Sequence, residues 1–143
     1  MRPFLERLRR FVASRRFEIV DGSMEPALRP GDRVLLDRGA YRRRAPTVGE
    51  VVAIVDPVDP HRRLVKRVAA VGPGEVAVPI AGATDSAEGL RVPVPDGTVY
   101  LLADALDRGR DSREFGPRDR REILGRVWFR YAPANRRGPV GTG

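Results

Sequence analysis

Cysteine is absent from this chain of 143 residues, and histidine occurs once, at His61. Without cysteine there are no disulfides, thiolate metal sites or thiol nucleophile, though the compartment stays open. A single histidine cannot build an imidazole metal centre. His61 sits in Asp56-Pro57-Val58-Asp59-Pro60-His61-Arg62, which reads as a solvated hairpin loop. There is no glycine-rich phosphate loop and no internal repeat, so no cofactor and no metal are expected. Aromatic residues make up only 6% of the chain. The net charge of +8, with clusters at Arg42-Arg43-Arg44, Arg118-Asp119-Arg120-Arg121 and Arg136-Arg137, therefore lacks the stacking platform of a single-strand binder. No nucleic-acid partner is expected. The charge reads as a solvated surface that favours anionic lipid.

Long apolar runs are also missing. A membrane span needs about 20 apolar residues. The first 22 residues carry Arg2, Arg7, Arg9, Arg10, Arg15 and Arg16, so no transmembrane span and no secretory signal is expected there. Phe4, Leu5, Leu8, Phe11 and Val12 recur at helical spacing, which predicts a basic amphipathic helix over 1–16. Such a helix would lie on an anionic membrane surface or pack on the domain.

Lysine is as scarce as histidine: Lys66 is the only one, and every other basic side chain bar His61 is arginine. A guanidinium stays protonated, whereas a desolvated ammonium can lose its proton and act as a base. Chance in an arginine-rich chain is the other explanation. Lys66 lies in Arg63-Leu64-Val65-Lys66-Arg67-Val68-Ala69-Ala70-Val71, a run with strand character. Alternation puts Leu64, Lys66, Val68 and Ala70 on one face. If that face is buried, the amine's pKa falls from its free value of about 10.4. At a strand edge it would snorkel to water instead.

A lysine base needs a nucleophile, and the chain has four serines: Ser14, Ser23, Ser86 and Ser112. Ser23 follows a short apolar run and Gly22, and precedes a turn punctuated by Pro26 and Pro30. A serine on a tight turn after a strand presents its hydroxyl and leaves backbone N–H groups free for an oxyanion. The same position also suits a cap on a short helical turn.

Gly22-Ser23-Met24-Glu25-Pro26-Ala27-Leu28 resembles the nucleophile box of the signal peptidase I family of Ser/Lys peptidases. Leu64-Val65-Lys66-Arg67-Val68 followed by Gly72-Pro73-Gly74-Glu75 is similar to its lysine box, and Gly49-Glu50-Val51-Val52-Ala53-Ile54 to the strand before it. Asp104, Asp111-Ser112-Arg113-Glu114-Phe115-Gly116-Pro117 and Ile123-Leu124-Gly125-Arg126-Val127 resemble its C-terminal box. The boxes occur in the family's order from residue 17 to about residue 130.

The resemblance implies Ser23 as nucleophile, Lys66 as general base, Ser112 as the serine that orients the lysine, and Asp111, Arg113 and Met24 as supporting residues. It implies that the Ser23 N–H is one oxyanion donor. Two features depart from the family pattern. Ala103-Asp104-Ala105 stands where Gly-Asp-Asn is usual, and Asp21 stands two residues before the nucleophile, where some members place a hydroxyl. An ionised Asp21 would repel an oxyanion, so it must point away or a second donor must come from elsewhere.

Short strand candidates at 17–20, 33–37, 50–55, 63–71, 75–79, 90–94, 98–103 and 123–130, separated by Gly/Pro/Asp turns, predict an all-β domain. The resemblance implies two antiparallel sheets in a compact, partly barrel-like fold, with residues 80–97 as a hairpin or loop. The expected organisation is the helix over 1–16, a peptidase domain over 17–133 and a disordered tail over 134–143.

The expected activity is a serine endopeptidase that removes an N-terminal signal or leader peptide from a precursor protein, with small residues at the first and third positions before the cut. One alternative is a dedicated maturation protease for a cytoplasmic precursor such as nickel superoxide dismutase. Another is a self-cleaving repressor-type protein, disfavoured because the 22 residues before Ser23 hold neither a DNA-binding domain nor a cleavage site. The last is a non-enzymatic basic binding protein. The expected location is the cytoplasm or the periphery of the cytoplasmic membrane.

Overall fold

The computed structural model describes residues 14–79 and 89–142, together with Pro3 and Leu5. The helix expected over 1–16 falls mainly outside the described residues. Pro3 and Leu5 are helical and exposed, but Arg15 and Arg16 already belong to the first strand.

The described residues are mostly β. An antiparallel sheet carries, in spatial order, β1 (Arg15–Glu18), β2 (Arg33–Asp37), β9 (Ile123–Ala132), β3 (Val51–Val55), β4 (Arg63–Val71), β7 (Thr98–Leu102) and β8 (Arg118–Asp119), with β10 (Gly138–Pro139) paired to β9. This sheet curls into a half-barrel. β5 (Gly74–Val78) and β6 (Leu90–Val94) form a separate two-stranded hairpin. The all-β expectation therefore holds. The first strand runs over 15–18 rather than 17–20 because its antiparallel partner β2 begins at Arg33, which pairs with Glu18, and reaches Leu36 opposite Arg15. Ile19 is tied only by single bonds to Asp32 and Gly31, each 2.8 Å. The chain is then free to turn at Asp21.

The middle of the sheet is apolar on both faces, which is why β3 reads as the unbroken run Val51-Val52-Ala53-Ile54. Val51 and Ala53 join Met24, Leu28, Val34, Leu36, Val65 and Val127 in one core cluster. Val52 and Ile54 join Leu64, Val68, Val99 and Leu101 in another. In register, Val52 pairs with Lys66 and Val51 with Arg67. The alternation of β4 therefore carries Lys66 to one face and Arg67 to the other.

The tail does not match its expectation. Residues 134–136 form a 3-10 turn, β10 pairs with β9, and Val140 is buried in the first core cluster. Arg136 reaches the buried Asp32 carboxylate at 2.8 Å, and the Arg67 guanidinium donates to the Gly141 carbonyl at 2.8 Å. Composition suggested disorder, but an ion pair to a buried acid and one inward valine hold the segment down.

Candidate active site

Ser23 sits in the turn after β1, where the Leu28 N–H bonds the Met24 carbonyl at 2.9 Å and Met24 packs in the core. The turn is thus anchored from below by Met24 and Leu28 and presents Ser23 on the side facing β4. Lys66, on the face of β4 shared with Leu64 and Val68, projects toward it. Nζ of Lys66 lies 2.9 Å from Oγ of Ser23. Both residues are buried, at 1% and 3% exposure, so the pair is held away from bulk water.

Burial pushes the Lys66 amine below its ordinary value of 10.5. The carboxylates of Asp21 and Asp111 work against that shift, and the guanidiniums of Arg113 and Arg62 add to it. Desolvation prevails, which favours the neutral amine that a general base requires.

The segment 103–112 covers the pair. Its start is fixed by Arg67, whose guanidinium grips Asp104 through two bonds of 2.8 Å and also donates to the Gly49 carbonyl at 2.7 Å. Its middle is tied to the nucleophile turn by the Ala105 N–H on the Ser23 carbonyl at 2.9 Å. Its end is fixed by Asp111, which caps the short helix α1 (Ser112–Phe115), accepts the Ala103 N–H at 2.9 Å and pairs with Arg113 at 2.8 Å. The Asp111 carboxyl lies below its ordinary value: burial would raise it, but the Arg113 guanidinium and the Ala103 and Arg113 amides outweigh burial.

Ser112, expected to orient the lysine, has another partner. Its Oγ accepts the Leu101 N–H at 2.9 Å, and among the described residues no hydrogen bond joins it to Lys66. The start of α1 buries Ser112 against β7, where it docks the covering segment instead. The residue that does abut the pair is Gly109. A Cβ built there would lie 3.0 Å from Ser23 Cβ and 3.2 Å from Lys66 Nζ, and its φ is +75°. In sequence Gly109 was one glycine between two arginines, an ordinary turn signal; nothing local marks the close approach.

Asp21 does not point away. Its Oδ1 accepts the Ser23 N–H at 2.9 Å, closing a turn of the kind aspartate commonly makes to the residue two ahead. The expected oxyanion donor is therefore occupied. The Asp21 carboxyl lies below its ordinary value: burial would raise it, but the Ser23 hydrogen bonds, Lys66 and Arg62 together outweigh burial.

Beside the pair runs a groove of about 530 Å³. Residues 17–21 form one wall, residues 60–63 with Val55 and Val65 the other, and Ser23 and Met24 lie within it. His61, read as a solvated loop residue, is exposed and stands on the groove's rim. An extended peptide laid between these two walls would pass Ser23 Oγ. Among the described residues, no group of three or more His, Cys, Asp or Glu side chains could hold a metal ion.

The sequence over residues 5–84 matches the family profile described as signal peptidase, peptidase S26. The chain is 36% identical over 120 residues to a mitochondrial ATP-independent inner membrane protease subunit 1b of Arabidopsis thaliana, covering 83% of this chain and 70% of that protein. It is 30% identical over 156 residues to a probable signal peptidase I-1 of Synechocystis, covering 94% and 79%. A crystal structure of a signal peptidase I from Enterococcus faecalis superposes with a TM-score of 0.46 at 19% identity, covering 59% of this chain and 97% of that one.

Proposed function

Because the chain belongs to the signal peptidase family, peptidase S26, we propose that Ser23 and Lys66 are the catalytic pair of a serine endopeptidase that removes N-terminal signal or leader peptides. The observation that carries this is the buried 2.9 Å contact between the chain's only lysine and Ser23.

The substrate lies extended in the groove with its scissile carbonyl carbon over Ser23 Oγ. Neutral Lys66 takes the hydroxyl proton as Oγ attacks, and the negative charge passes to the carbonyl oxygen. As the tetrahedral species collapses, protonated Lys66 gives the proton to the departing amine. The acyl-enzyme forms and the mature N-terminus leaves. A water then attacks the ester carbonyl as Lys66 takes its proton; Lys66 returns that proton to Ser23 Oγ as the ester bond breaks, and the leader is released with a new carboxyl terminus. One amine thus serves as base and acid in turn, the role an imidazole plays in the histidine triad. Asp111, Arg113 and Arg67 do not touch the reacting atoms; they hold the covering segment that seals the pair from water.

The test is incubation with leader-bearing precursors that carry small residues before the cut, read by mass spectrometry. Wild type yields the shortened precursor. Ser23→Ala and Lys66→Arg, both folded, yield none, because arginine keeps the charge but cannot accept the proton. Near-normal turnover by a folded Lys66→Arg protein would refute the assignment.

A further inference from the structure

The Asp21 carboxylate stands where the reaction needs room for a negative charge. Its Oδ1 holds the Ser23 N–H at 2.9 Å, and both residues line the groove. The charged groups that face Lys66 are Asp21, Asp111, Arg113 and Arg62. Asp111 is already paired with Arg113 at 2.8 Å. Among the described residues Asp21 makes no close salt bridge, and its charge is answered only at longer range, by Lys66 and Arg62. Arg62 lies on the opposite wall of the groove, exposed, and the charged groups that face Asp21 are Lys66 and Arg62.

We propose, on the basis of the Ser23/Lys66 reading, that Asp21 is a positioning residue that sets a resting state: its carboxylate occupies the amide that must receive the oxyanion and opposes loss of the Lys66 proton, and productive substrate displaces it toward Arg62. The substrate carbonyl and the carboxylate compete for one donor, since a backbone N–H offers one proton. A hydrogen bond to a charged acceptor is among the stronger kinds, so the competition costs rate. Displacement also moves the negative charge from beside Lys66 to Arg62, which frees the amine to lose its proton. Base and oxyanion site are then readied by the same movement, and only a peptide long enough to fill both walls of the groove brings it about.

Lys66 is the only lysine, so protein labelled with ¹⁵N at lysine Nζ and ¹³C at Cε reports one titrating amine without any need for turnover. Asp21→Asn keeps the shape and the acceptor oxygen but removes the charge. In it the Lys66 titration and the acid limb of kcat/KM both move to lower pH. Asp21→Ala also releases the Ser23 amide without adding a donor, and kcat/KM on a precursor rises about ten-fold or more. Arg62→Ala lowers kcat/KM severalfold in wild type and has little effect when combined with Asp21→Ala. A merely structural turn role gives a different pattern. Folded Asp21→Asn and Asp21→Ala proteins would then lose kcat/KM while the Lys66 titration stayed in place, and that result overturns the proposal. A moved Lys66 titration without any gain in kcat/KM overturns it too. Failure of the underlying reading has a separate signature: turnover that survives Lys66→Arg, whatever residue 21 is.

Discussion

Replacing Gly109 with alanine tests whether the covering segment is fitted to the reacting pair or only lies near it. The added methyl would sit 3.0 Å from Ser23 Cβ and 3.2 Å from Lys66 Nζ. Carbon atoms in good contact sit about 3.5–4.0 Å apart, so something must move by roughly half an ångström. The flexible end is the lysine amine, and the 2.9 Å contact with Oγ is the one that gives way. Displacement of about 1 Å in a reacting geometry costs on the order of 100-fold in rate; half of that distance should cost at least about ten-fold in kcat. The positive φ of +75° adds a conformational penalty of about 1–2 kcal/mol to the folded state. For a domain of this size that lowers the melting temperature by several degrees. The expected result is a folded protein with a modest loss of Tm, an unchanged KM and a large loss of kcat, measured by precursor cleavage and calorimetry. If kcat stays within two-fold of wild type, the close approach of Gly109 has no bearing on catalysis and the argument from packing is wrong.

Lys66→Met should raise stability at neutral pH, because a buried ammonium is a cost to the folded state. With the folded value below the ordinary 10.5, that cost is complete below the folded value and fades as pH rises toward 10.5. Chemical denaturation across that range should show the wild type closing the gap; a constant gap would contradict the sign. Glu50, buried between Arg44 and Arg126 and held down to about 2, contributes stability that is present above about 4.5 and lost as pH falls toward 2. Glu50→Gln should cost roughly 3 kcal/mol at pH 7, with the difference from wild type vanishing in acid. Truncation after Pro133 strips Val140 from the core and Arg136 from Asp32, and should lower stability by at least about 2–3 kcal/mol; a truncated chain with an unchanged melting curve would return the tail to the disordered class. Residues 1–16 should give salt-sensitive co-sedimentation with anionic vesicles, since each basic group near such a surface contributes about 1 kcal/mol; binding to neutral lipid that survives high salt would mean a hydrophobic anchor instead.

Strand placement was largely legible because short apolar runs bounded by turn residues are local signals. β2, β4 and β6 lie where the pattern puts them. The alternation of β4 was legible for the same reason, and it put Lys66 and Arg67 on opposite faces before any contact was known. The bounds of β1 were not, because they are set by the span of β2 opposite. The order of the tail was not legible because glycine, proline and arginine lower the local propensity for order, while its hold on the domain comes from Asp32, about a hundred residues earlier.

By itself the sequence determined the chemistry available: no thiol, one imidazole, one lysine, and a serine on a turn after a strand. It also determined the all-β class, since both follow from residue identity and local periodicity. Tertiary structure alone decided which groups meet. Ser23 and Lys66 are 43 residues apart, and their contact exists because the nucleophile turn and β4 face each other across the core. That Ser112 serves Leu101, that Gly109 touches the pair, and that Asp21 occupies the Ser23 amide are equally matters of approach in space. A side chain's partner is set by the packing of whole elements, and no spacing along the chain encodes it.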